Sequence, residues 1–141
     1  MSRKQERKDR GFTLIELLVV MTILAILAAL VVPRLFNNLE KSKIDAAKAQ
    51  ISAFETALDA YRLDVGSFPT TDQGLEALRV APPGVENWDG PYLPKEVPVD
   101  PWGHPYVYRS PSTHGDYEII SYGSTGHEGG TGLNAEIDSW K

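Results

Sequence analysis

The feature that most constrains this chain is an apolar run from Phe12 to Val32 that contains a single charged residue, Glu16. As a helix this run would span roughly 31 Å at about 1.5 Å per residue, and a bilayer core is about 30 Å thick. A carboxylate inside such a segment costs on the order of 2.5–3.5 kcal/mol on insertion scales, so it needs a partner of opposite charge. The run therefore predicts a membrane-spanning helix, and the partner of Glu16 becomes the central question.

The charge is distributed unevenly around this run. The chain has 141 residues and a net charge of −5, yet residues 3–10 carry an excess of Lys and Arg. A basic flank before an apolar segment predicts a cytoplasmic N-terminus and a body on the far side of the membrane. The acidic body argues against nucleic acid as a partner, because phosphate contacts need clustered basic residues. The absence of cysteine excludes a disulfide framework and a thiolate metal site.

The N-terminal segment differs from an ordinary secretory signal, in which a small-residue cleavage site follows the apolar region. Here the small residue, Gly11, precedes the run, and the run ends in Val32-Pro33-Arg34. A cut after Gly11 would remove a basic leader, residues 1–11. It would leave a membrane helix, 12–33, and a globular domain, 34–141.

Helical periodicity continues beyond the apolar run to about Tyr61. Pro33 is predicted to kink the helix, because proline lacks an N–H and its ring clashes with the carbonyl four residues back. Beyond it, apolar residues recur in steps of three and four, which predicts one buried and one solvated face. The predicted buried stripe is Ile44, Ala47, Ile51, Phe54, Leu58 and Tyr61.

The C-terminal half predicts short elements joined by long loops. Thr70 and Gln73 have capping-box spacing and predict a short helix through about Arg79. The proline-rich stretch 80–105 predicts an extended loop, with Trp88, Tyr92, Leu93 and Trp102 as its anchors. Alternating patterns predict strands at 106–109, 117–122 and 135–140. The expected fold is α+β, with one long helix packed on a small antiparallel sheet.

Gly11-Phe12-Thr13-Leu14-Ile15-Glu16 and the apolar run resemble the processing site of type IV pilins and pseudopilins. The resemblance implies that a prepilin peptidase cuts after Gly11 and that the new N-terminal Phe12 is N-methylated. Pro33 falls where that family has its helix-kinking proline. The alternative is a signal anchor that carries a stray glutamate.

A cut after Gly11 would give Glu16 a partner, because the new α-amino group of Phe12 is a cation. Opposite charges attract strongly in a medium of low dielectric constant. If Glu16 faces the Phe12 amine of an adjacent subunit, the pair relieves the desolvation cost of both ions and fixes the axial register of assembly. Pairing with the amine of the same chain is an alternative, and both can hold at different stages.

The body resembles the major pseudopilin of type II secretion systems. The segments that carry this resemblance are 66–78, 89–93, 100–106, 114–118 and 137–140. It implies a structural subunit, not an enzyme, that polymerises with copies of itself into a periplasmic fibre and drives export of folded proteins across the outer membrane. Minor pseudopilins and an inner-membrane assembly platform would be further partners.

Two other function classes stay open at this point. One is a type IV pilus subunit for adhesion or motility, whose C-terminal loop is commonly closed by a disulfide that this chain cannot form. The other is a membrane-anchored periplasmic enzyme or binding protein, for which convergent polar groups in a pocket would be expected.

In the pseudopilin family the loop after the second strand binds calcium, and the resemblance carries this property over to residues 122–136. The implied ligands are the carbonyl of Tyr122 and the side chains of Thr125 and Glu136, with further oxygens from Ser124 and Asn134. Thr125 is a departure, because the family usually has aspartate there, so the calcium affinity should fall. The alternative is a tight glycine loop held by packing of Trp140.

The remaining polar residues give weaker signals. His104, His114 and His127 lack the spacing of a zinc site and are predicted to be loop residues. Asp116, Glu118 and Glu128 are predicted to be solvated surface charges.

Overall fold

The structure is a computed structural model that describes Gly11 and residues 13–141. Residues 1–10 and Phe12 lie outside the described residues, so Gly11 is the only described residue of the predicted cleavage pair. The chain divides between Asn38 and Leu39 into two compact units. The boundary predicted at residue 34 lies a few residues earlier, and the predicted division of the chain stays a prediction.

The helix α1 (Leu14–Val65) begins in the first unit and ends in the second. Within the first unit every described side chain is exposed, and the most apolar window of α1 has a mean hydropathy of 2.9. A helix that is apolar on all sides requires an apolar environment, which a bilayer supplies. Helical structure continues through Pro33, and the predicted kink there stays a prediction.

The core of the second unit is built around the amphipathic part of α1. The predicted stripe is confirmed, although Ile44 is only partly buried and Ala57 is a further buried member. Phe54 and Leu58 are completely buried, and the Phe54 ring meets the edge of Tyr106 with centroids 5.1 Å apart. This spacing of three and four residues positions α1 as the support on which the loops and the sheet pack.

The capping box is confirmed, but the helix predicted after it is shorter. The Thr70 amide donates to Gln73 Oε1 (2.9 Å), and the Gln73 amide donates to Thr70 Oγ1 (3.2 Å). Gly74 then has φ of 63°, which takes the backbone out of the helical region. The next element is a single turn of 3-10 helix, Leu75–Leu78, in which both leucines are buried.

Three short strands form an antiparallel sheet in the order β1-β2-β3. They are β1 (Val107–Arg109), β2 (Glu118–Ser121) and β3 (Ile137–Asp138). Tyr108 pairs with Ile119, and Ser121 pairs with Ile137. All four residues of the central strand are buried. The predicted α+β fold is confirmed.

Aromatic side chains anchor the long loop 80–105, as predicted. Trp88 Nε1 donates to the Ala77 carbonyl (2.7 Å), and the Tyr92 hydroxyl donates to Asp64 Oδ2 (2.7 Å). Trp102 Nε1 donates to Glu40 Oε2 (3.1 Å). Each ring packs against the apolar core while its single polar atom finds a partner, which is how buried Trp and Tyr are usually accommodated.

Candidate functional site

The first turn of α1 forms the N-terminal site. Thr13 caps the helix, because its Oγ1 accepts a hydrogen bond from the Glu16 amide (3.2 Å) and its carbonyl accepts one from the Leu17 amide (3.2 Å). Glu16 is therefore held in the first turn, where the positive end of the helix dipole favours a carboxylate. The predicted partner of Glu16, the amine of Phe12, lies outside the described residues, so the pairing stays a prediction.

The loop between β2 and β3 forms the second site, and its two sides are joined by side chains. Thr125 Oγ1 lies 3.3 Å from the Tyr122 carbonyl oxygen and 3.2 Å from the His127 carbonyl oxygen. Ser124 Oγ donates to Asn134 Oδ1 across the loop (2.7 Å). The structure thus brings Thr125 to Tyr122, and Ser124 to Asn134.

Glu136, the fifth predicted ligand, lies at the end of this loop. Its Oε2 accepts a hydrogen bond from the Gly129 amide (3.2 Å). Gly130 has φ of 93°, and a Cβ there would collide with the Asn134 carbonyl oxygen, so only glycine fits. Close backbone approach therefore explains the glycine at position 130.

The donors of this loop have the chemistry that a hard cation requires. They are carbonyl, hydroxyl, amide and carboxylate oxygens, and calcium binds six to eight such oxygens in flexible geometry. Across the described residues, no group of three or more His, Asp or Glu side chains clusters at a single point. The adjacent Asp138 carboxylate is buried, and neither of its oxygens accepts a hydrogen bond within the described part of the chain. The set fits calcium, with neutral oxygens supplying much of the coordination.

Asp100 supports the start of this loop, and the sequence analysis missed it. Its Oδ1 accepts hydrogen bonds from the amides of Trp102 (3.1 Å) and His104 (2.8 Å). Its Oδ2 accepts a hydrogen bond from Ser121 Oγ (2.8 Å), and Ser121 Oγ accepts one from the Gly123 amide (3.3 Å). The signal in the sequence is the Asp-Pro pair followed by Gly103, since aspartate commonly bonds the backbone two residues on in such turns.

The prediction that Glu118 is a solvated charge is wrong. Glu118 is 5% exposed, and Arg109 Nη1 lies 2.9 Å from its Oε1. His114 Nδ1 lies 3.1 Å from Oε2, and the His114 ring stacks on Trp140 with centroids 3.9 Å apart. The cause is the sheet register, because Arg109 on β1 is directly opposite Glu118 on the buried central strand.

The contacts of Glu118 also shift the pKa of its carboxyl group. Burial acts to raise its pKa, but hydrogen bonds from Arg109, Ser112 and His114 outweigh burial and lower the pKa below the ordinary value of 4.5. The three histidines are loop residues as predicted, and His114 has this additional packing role.

Glu118→Gln is expected to lower the free energy of unfolding at neutral pH by about 1–3 kcal/mol, since a buried charge-assisted pair is lost. Because the folded pKa is below the unfolded one, the wild-type pairs add stability above about pH 4.5 and lose it as the pH falls through the folded pKa. Thermal melting from about pH 3 to about pH 7 should give a shallower acid dependence in the variant. Glu128→Gln, at an exposed position, is the control. Equal pH slopes in the three proteins would contradict this role for Glu118.

Comparison with known families decides what the chain is related to. The prokaryotic N-terminal methylation motif matches residues 7–32. The family described as type II secretion system (T2SS), protein G, matches residues 34–140, which is most of the chain. The chain belongs to the T2SS protein G family. The predicted resemblance to the major pseudopilins of type II secretion is therefore confirmed.

Individual relatives named core protein G align with this chain over nearly its whole length. The type II secretion system core protein G of Pseudomonas aeruginosa is 47% identical over 139 residues, covering 96% of this chain and 98% of the relative. That of Vibrio cholerae is 48% identical over 140 residues, covering 97% and 95%. The crystal structure of the major pseudopilin of enterohaemorrhagic Escherichia coli matches with a TM-score of 0.65 and 34% identity, covering 77% of this chain and 95% of that one.

Proposed function

We propose that this chain is a structural subunit of the type II secretion pseudopilus, polymerising into a periplasmic fibre that drives export of folded proteins across the outer membrane. The observation that carries the proposal is the protein G match over residues 34–140, which follows the part of α1 that is apolar and exposed on all sides. An exposed apolar helix needs either lipid or other helices around it, and a membrane-stored, fibre-forming subunit uses both. The protein G match favours this role over a type IV pilus subunit and over a periplasmic binding protein.

The finer assignments rest on the same features. The basic flank of the helix supports a cytoplasmic N-terminus, insertion in the inner membrane and a periplasmic globular domain. The match to the methylation motif supports processing by a prepilin peptidase between Gly11 and Phe12. The partners are then copies of this chain, minor pseudopilins and the inner-membrane assembly platform. The chain works as a building block with no catalytic activity of its own.

The fibre role is tested by producing the chain together with a type II secretion machinery whose own major pseudopilin gene is deleted. Restored export of a folded substrate, and fibres of this chain in the sheared periplasmic fraction, are the expected result. A chain that remains monomeric in the membrane at every expression level would contradict the proposal. Fibres displayed on the cell surface without restored export would instead indicate a pilus.

The loop between β2 and β3 is proposed to bind calcium through the Tyr122 carbonyl, Ser124, Thr125, Asn134 and Glu136. When bound, the ion would supply positive charge that neutralises Glu136 and cross-links the two sides of the loop. The supporting observations are the Thr125–Tyr122 and Ser124–Asn134 contacts, which already bring these oxygens together. The residues themselves position the loop against β3, which begins directly after Glu136.

Calcium is expected to raise the melting temperature of the full chain in detergent micelles. A ligand at about 100 times its Kd adds about 2.7 kcal/mol to the free energy of unfolding, which corresponds to a shift of several degrees. Glu136→Gln should reduce the shift, and magnesium at the same concentration is the control, since it demands stricter geometry. A melt that is insensitive to both calcium and EDTA would remove the calcium proposal and leave the fibre role intact.

A further inference from the structure

Asp138 is an unusual residue of the second unit, because its charge is buried without hydrogen bonds. Its side chain is 0% exposed, and neither carboxylate oxygen accepts a hydrogen bond from the described residues. Lys141 Nζ lies 2.9 Å from Oδ2 and forms an ion pair with it. A buried carboxylate is unfavourable unless a cation pairs with it, and in this structure Lys141 is that cation.

Asp138 shares its surroundings with Glu136, a proposed calcium ligand. Glu136 lies directly before β3, and Asp138 is the second residue of that strand. Both line a cavity of about 270 Å³, together with Lys141 and the exposed Lys48 of α1. Two carboxylates therefore border the same space.

Lys141 lines the same cavity as both carboxylates. Its side chain is 64% exposed, so its ammonium group can move into solvent when it leaves Asp138. Lys48 is a second cation at the rim of this cavity, and its long exposed side chain can keep its charge in solvent.

We propose that Asp138 is a further carboxylate ligand of the calcium site, supplying the negative charge that Thr125 does not. The ammonium of Lys141 then neutralises Asp138 in the calcium-free protein and leaves when the ion binds. The proposal rests on calcium binding by the β2–β3 loop and names a ligand that the resemblance to the pseudopilins does not imply. It explains why this chain can combine an uncharged residue at position 125 with a buried carboxylate two residues after Glu136.

The test is a calorimetric titration of calcium chloride into the full chain in detergent micelles. Asp138→Asn should weaken calcium binding by about tenfold or more, since even residues behind a metal ligand typically change affinity by that factor. Lys141→Gln, at an exposed side chain, should strengthen binding because it removes the competing cation. Asp116→Asn and Lys95→Gln are the matched controls, both at exposed positions outside the cavity. Neither control should change the affinity.

A double variant tests whether Asp138 is a calcium ligand or has only a structural role. Adding Thr125→Asp to Asp138→Asn should recover most of the lost calcium affinity, because it restores a carboxylate to the loop. If Asp138→Asn lowers the melting temperature without calcium but leaves the affinity unchanged, Asp138 is only the ion-pair partner of Lys141 and the proposal is overturned. If the wild-type chain binds no calcium, the calcium site itself fails along with this inference, whereas the fibre role is untouched.

Discussion

Glu16→Ala is expected to yield a protein that is processed and inserted in the membrane but forms no fibres. The substitution makes the apolar run more apolar, so insertion is retained. It also leaves the proposed partner, the Phe12 amine of an adjacent subunit, without its counter-charge. Breaking a buried ion pair by removing one member costs about 3–5 kcal/mol, more than a hundredfold in each subunit contact. Sheared-fibre yield, measured against the amount of subunit in the membrane, checks the expectation.

The control for this experiment is Val19→Ala, an apolar truncation one turn away in the same helix. It removes methyl groups but no charge, so fibres should still form. Glu16→Asp, which keeps the charge on a shorter side chain, should give an intermediate yield. Wild-type fibre yield from Glu16→Ala would defeat the register argument, even with the membership in the protein G family unchanged.

Gly11→Val is expected to block maturation completely. A Cβ at Gly11 would meet no atom of the described residues within 4 Å, so we expect the substitution to leave the described part of the chain undisturbed. Any loss of processing then reports on the peptidase, which must accommodate this residue beside the bond it cuts. An unshifted gel band in cells that contain a prepilin peptidase is the expected result.

Mass spectrometry of the N-terminal peptide adds a second measurement to the Gly11 experiment. In the wild-type chain the peptide should begin at Phe12 and carry one added methyl group. Thr13→Ser keeps the hydroxyl that caps α1 and should be processed normally, which makes it the control. Full processing of Gly11→Val would show that the cleavage site has been assigned to the wrong bond.

The long helix and the buried stripe were predictable, because periodicity over many residues averages out local exceptions. Short elements were less predictable. The Thr70–Gln73 capping box is present, yet Gly74 breaks the helix one residue later, because its φ of 63° lies outside the helical region. The type of a short element depends on single residues, so one glycine is enough to change it.

The polar sites depended on register and long-range contacts that the sequence does not display. Glu118 was misassigned because its neutralising partner, Arg109, lies across the sheet. The turn at Asp100 had a local signal, but its link to the β2–β3 loop runs through Ser121, which is 21 residues away in the chain. The resemblance to the pseudopilins implied the ligands of the β2–β3 loop. The burial of Asp138, by contrast, could be seen only in the structure, which defines the position of β3.

Ser139 and Trp140 contact the rest of the folded domain at several points. Ser139 both donates to and accepts from the backbone of Ile119, and Trp140 stacks on His114. Residues 139–140 are thus part of the folded domain. A fluorophore for imaging should therefore be attached at an exposed loop position such as Lys95 rather than at residues 139–140, which lie beside the strand that completes the sheet.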